Sequence, residues 1–73
     1  MSRYIVEIVG PSGHSTFLSH GREVRRENAM RYSHPSAARR AALSYKQRYP
    51  EQFVRPGVFW SVVDTRTGMR TAT

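Results

Sequence analysis

Residues Ser33–Pro50 read SHPSAARRAALSYKQRYP, the one stretch of the chain with a sustained helical pattern. Pro35 has a fixed φ suited to a first helical turn, where its missing N–H costs nothing, and Ser33 or His34 stands where a cap belongs. Pro50 cannot continue a helix, so the spacing predicts one helix over about residues 35–49. At about 100° per residue, Ala38, Ala41, Ala42, Tyr45 and Tyr49 form a single stripe. The alanines permit close approach to a sheet, and the two tyrosines fill the far end. Arg39, Arg40 and Arg48 fall off the stripe, and Lys46 flanks it. Leu43 lies on the polar side, where it either touches a loop or meets a partner.

Strand patterns flank this helix on both sides. Downstream, Pro50–Pro56 reads as a loop and Arg55-Pro56-Gly57 as a tight turn. Val58–Asp64 (VFWSVVD) is the strongest strand, with Val58, Trp60 and Val62 on one face and Phe59, Ser61 and Val63 on the other. Asp64–Gly68 is a hairpin loop with Gly68 at the left-handed position, and residues 69–72 form a short last strand. Upstream, Arg3–Val9 (RYIVEIV) is a strand whose Tyr4, Val6 and Ile8 make the better core face. Gly10–Gly13 is a turn, and residues 14–20 (HSTFLSH) return as a second strand, with Phe17 and Leu18 pointing to opposite faces. Gly21–Asn28 has no clean period and reads as a loop, and Ala29–Tyr32 as a short strand. The expected fold is α+β: one small antiparallel sheet made of a β-hairpin, a short strand and a C-terminal β-hairpin, with the helix packed on one face.

The chain has 73 residues, 12 Lys+Arg against 5 Asp+Glu, and no Cys. That length supports one domain, here residues 1–73, which buries only ~60% of the surface its unfolded chain exposes. Without Cys it is no disulfide scaffold, and a reducing cytosol is the expected compartment. No apolar run approaches the ~20 residues of a membrane helix, and the N-terminus lacks the apolar segment of a signal peptide. The net charge of +7 is unevenly placed. Residues 1–20 are neutral and residues 50–73 carry +1, whereas residues 21–49 hold eight cations against two anions. Eleven of the twelve cations are Arg, whose planar fork suits phosphate and carboxylate. Such a region attracts polyanions or an acidic protein surface. The candidate binding residues are therefore Arg22, Arg25, Arg26 and Arg31 before the helix, and Arg39, Arg40 and Arg48 on it. The bland alternative is a solvated face that keeps a small domain soluble.

Tests for chemistry favour binding over catalysis. Gly10–Thr16 (GPSGHST) follows a strand as a phosphate-binding loop does. Its glycines are too closely spaced, however, His14 stands where the lysine belongs, and no helix follows. His14, His20 and His34, at spacings of 6 and 14, fit no common zinc pattern, so no metal or cofactor is expected. Glu23, Glu27 and Glu51 sit in basic or loop contexts that suggest ion pairs rather than acid–base work. Tyr4, Phe17, Tyr32, Tyr45, Tyr49, Phe53, Phe59 and Trp60 are available as stacking platforms, but most are needed for the core. The Gly-aromatic run of RNA-recognition domains is absent, and a single helix does not make a helix-turn-helix.

A basic hairpin–helix–hairpin chain with Asn28-Ala29-Met30-Arg31-Tyr32-Ser33 before a helix bearing Ala37, Ala38, Ala41 and Ala42, then a Trp-containing hairpin, looks like many short open reading frames of tailed phages and their hosts. In length, charge and lack of Cys it resembles the small RNA-polymerase-binding transcription regulators of lytic Xanthomonas phages. That resemblance implies a monomeric, non-enzymatic protein of the host bacterial cytosol. It would bind host RNA polymerase near the path of nascent RNA, inhibit initiation and promote antitermination. No individual residue is carried over by it. Two alternatives stay open: a stand-alone basic RNA- or DNA-binding module, and a phage inhibitor of another host complex such as a CRISPR effector.

Overall fold

The computed structural model describes residues 3–71. Helix α1 spans Pro35–Arg48, with Pro35 in the first turn and His34 as the extended residue before it. His34 makes no side-chain capping bond. The chain leaves the helix at Tyr49, and Pro50–Gln52 forms a single 3₁₀ turn within the predicted loop. Ala38, Ala42 and Tyr45 are the helix's buried residues, with Ala41 and Tyr49 packed beside them, so the stripe faces inward as its period requires.

Five strands form one antiparallel sheet: β1 (Tyr4–Val9), β2 (Ser15–Ser19), β3 (Arg22–Val24), β4 (Phe59–Asp64) and β5 (Arg70–Thr71). Their spatial order is β3-β2-β1-β4-β5, which puts the most apolar strands, β1 and β4, side by side in the centre. The fold is α+β, with α1 across one face. On that face Val6, Ile8, Leu18, Trp60 and Val62 meet Ala38, Ala42 and Tyr45. Strand alternation sends Ile5, Phe17 and Val63 to the opposite face, where Val24 and Ala29 pack on them. Both faces of β1 are therefore buried, not only the Tyr4–Val6–Ile8 face. In a domain this small, each full-size core side chain matters, and Leu18→Ala would cost about 2–5 kcal/mol.

Two predicted segments differ from the structure. Gly21–Asn28 is not a loop, since Arg22–Val24 pairs with β2 as edge strand β3 and Arg26–Asn28 makes a 3₁₀ turn. The reversal is a two-residue turn at His20 (φ 51°) and Gly21 (φ 79°), the double left-handed geometry whose twist matches a β-hairpin. Ala29–Tyr32 is not a full strand: it carries one bridge, Tyr32 to Tyr4. Its placement explains why. β1 and β2 pair only where Glu7–Val9 meets Ser15–Phe17. Beyond that they part, and residues 30–32 fill the gap. There the Met30 N–H donates to the Leu18 carbonyl (3.1 Å) and the Tyr32 N–H to the Tyr4 carbonyl (2.7 Å). The chain thus passes from one face of the sheet to the other through the sheet layer, with Ala29 in the cluster on the face away from α1 and Tyr32 in the cluster beneath α1.

Candidate functional site

Arg22, Arg25, Arg26, Arg31, Arg39, Arg40 and Arg48 are all exposed. Among the described residues none of the seven is ion-paired. The two ion pairs present use cations from the ends of the chain, Arg3 with Asp64 at 3.0 Å and Arg70 with Glu7 at 2.7 Å. The expected ion pairs of Glu23, Glu27 and Glu51 do not form there. Glu23 instead accepts hydrogen bonds from the Thr16 hydroxyl and from the Tyr45 hydroxyl at 2.9 Å. The field of the middle segment is therefore directed outward.

The seven arginines do not form one patch. Arg22 shares the face of Val24 and Phe17 by strand alternation, and the Arg26 guanidinium lies 5.6 Å from the Phe17 ring centroid. Both sit on the side of the sheet away from α1. Arg39 and Arg40 project from the outer surface of α1. There Leu43, 41% exposed, lies one turn from both and three residues from Lys46, so an apolar spot is ringed by cations. Arg48, at the helix end, returns to the β2–β3 turn. A Cβ on Gly21 would stand 3.4 Å from its Nη1, so the guanidinium rests on bare backbone.

Of the eight aromatic residues, Phe59 alone is strongly exposed, at 55%, on the face away from the helix. The others are buried or half-buried, as a small core demands. Tyr45 contacts Tyr49 and Phe53, and its hydroxyl also lies 3.3 Å from Gln52 Oε1. Burial, then the hydrogen bond and charge of Glu23, push the Tyr45 phenol up to about 12.

The Gly10–His14 turn spends its polar groups on itself. The Gly10 N–H donates to the His14 carbonyl (2.8 Å) and the Gly13 N–H to the Gly10 carbonyl (3.0 Å). A strand, not a helix, follows it. Among the described residues no group of three His, Asp or Glu side chains is placed to hold a metal. No helix there is long and apolar enough to cross a membrane.

Sequence reasoning missed the ion pair of Arg70 with Glu7 and the cover of Arg26 on Phe17. It also missed the cleft between the β2–β3 turn and α1. Only the His20-Gly21 pair signalled any of this, by marking the tight turn. Comparison with family models, with curated proteins and with solved structures finds no match to this chain in any of the three.

Proposed function

We propose that the chain is a non-enzymatic regulator that binds host RNA polymerase as a monomer, inhibiting transcription initiation and promoting antitermination near the RNA exit path. The observation that carries this reading is the set of seven exposed arginines without a carboxylate partner among the described residues. Charge not used within the fold remains available to an acidic protein surface or to transcript phosphates. The likeness to phage transcription regulators supplies the choice of polymerase among acidic partners.

The outer face of α1 suits the contact best. An apolar centre at Leu43 with a rim of Arg39, Arg40 and Lys46 has the layout of a small protein interface, and a helix presents it rigidly. Bound at the exit path, the remaining arginines would hold the transcript and oppose the folding of a terminator hairpin. Retention of purified bacterial RNA polymerase on the immobilised chain tests the proposal. Retention at low salt, weakening as salt rises, is expected; its absence at low salt overturns the reading.

A further inference from the structure

A cleft of about 260 Å³ opens between the β2–β3 turn, the residues 30–32 segment and the last turns of α1. Its buried and half-buried lining is Leu18, Met30 and Ala41 together with Tyr32 and Tyr45. Its exposed lining is polar, with Arg48, His20 and Ser44. Three separate elements build it, and each is fixed. Met30 and Tyr32 are tied by backbone hydrogen bonds to β2 and β1, and His20 is held by the turn geometry. Arg48 lies against Gly21 with no carboxylate paired to it among the described residues. Burial raises the Tyr32 phenol, so it stays protonated further into the alkaline range.

From this arrangement we infer that the cleft binds a nucleoside monophosphate, with its ring on the Leu18–Met30–Tyr32 lining and its phosphate against Arg48 and His20. The volume lies below the ~300–1,000 Å³ of clefts for drug-sized ligands, so the cleft takes the heterocycle and leaves the phosphate at its open edge. Aromatic and apolar side chains mixed with a comparable share of polar surface suit a heterocycle that carries polar groups, and a guanidinium without a carboxylate among the described residues suits phosphate. The nucleotide is either free in solution or the phosphorylated end of a single strand, since both present the same chemistry. The inference does not rest on the polymerase reading, and its test contains no polymerase.

Titration of the isotope-labelled full chain with AMP, followed by amide NMR, tests it. Saturable shifts should centre on Gly21, Met30 and Tyr32. Arg48→Gln should weaken binding about tenfold, as loss of a charge-assisted hydrogen bond does. Arg40→Gln, which removes the same charge from the outer helix face, should change it by less than about twofold. Ser44→Phe, at an exposed lining position, should block AMP by filling the cleft without altering charge. Adenosine and inorganic phosphate should each bind more weakly than AMP. A parallel titration with a 5′-phosphorylated oligonucleotide identifies the source: AMP binding at least as tightly as the oligonucleotide means a free nucleotide, and tighter binding of the oligonucleotide, with shifts on the same residues and the same loss in Arg48→Gln, means a strand end. Either result supports the site. Shifts spread over the helix cations, equal effects of the two Arg variants, or no saturable binding of AMP would overturn it.

Discussion

Arg70 on edge strand β5 reaches across β4 to Glu7 on central strand β1: Nη2 donates to Oε2 at 3.1 Å, and Nε lies 2.7 Å from Oε1 as an ion-pair contact without hydrogen-bond geometry. The Glu7 side chain is only 4% exposed, while Arg70 is 63% exposed. The neighbouring Ser61, directly across from Glu7, is buried and its hydroxyl has no hydrogen-bond partner. The guanidinium is thus the chief compensation for a carboxylate taken out of water. Arg70→Met should destabilise the fold by about 1–3 kcal/mol, the upper range for a buried pair being reduced because Arg70 stays wet. Adding Glu7→Met should recover most of that loss, because an apolar pair leaves no stranded charge. Urea unfolding of the two single variants and the double variant gives the coupling.

Tyr45 makes stability depend on pH at the alkaline end. Its folded value of about 12 lies above the ordinary 10. A group whose value rises on folding contributes fully below its unfolded value and loses that contribution as pH climbs through the folded one. The contribution, on the order of 2–3 kcal/mol from the shift, should therefore be intact below about pH 10 and gone above about pH 12. Tyr45→Phe removes the titrating group and the bond to Glu23. The difference in urea midpoint between this variant and the native chain should stay flat to about pH 10 and shrink above it.

The β2–β3 turn is held by His20 and Gly21, both at positive φ. Glycine adopts this region freely, and among other residues asparagine tolerates it best. His20→Asn should raise the thermal midpoint, by a stabilisation of about 0.5 kcal/mol. Gly21→Ala should cost about 1 kcal/mol, with a methyl group pressed toward the Arg48 guanidinium in addition to the backbone strain. Calorimetric melting of both variants checks the pair of opposite signs.

The same turn shows where the sequence was readable and where it was not. The helix and the long strands could be placed because their burial repeats in the residues: Ala38, Ala42 and Tyr45 at helical spacing, and Val6, Ile8, Trp60 and Val62 at strand spacing. Arg22-Glu23-Val24 has no such repeat, because an edge strand with two exposed positions buries too little to write a pattern. The Glu7–Arg70 pair joins residues 63 apart through strand order, which no local spacing encodes. The candidate site was legible as charge but not as a surface. Residues 21–49 are contiguous in sequence, but the chain crosses the sheet at residues 29–32, so Arg22 and Arg26 end on one side and Arg39 and Arg40 on the other.

That division makes the interface separable by charge reversal. If the partner docks on the outer face of α1, Arg39→Glu with Arg40→Glu should weaken polymerase retention by about tenfold or more. Reversal of Arg22, Arg25 and Arg26 should weaken it by less than about threefold, through loss of long-range attraction alone, and that small effect should vanish at high salt. Because Arg26 covers Phe17, unfolding of the triple variant must be measured first, so that a lost fold is not read as a lost contact. Leu43→Ser separates the two kinds of contribution on the helix. An apolar centre acts on the lifetime of the complex, so this variant should speed dissociation with little change in association or in salt dependence. Should the sheet-side triple variant lose binding while the helix variants keep it, the docking face is the one carrying Phe59 and Arg26, and α1 serves only the core.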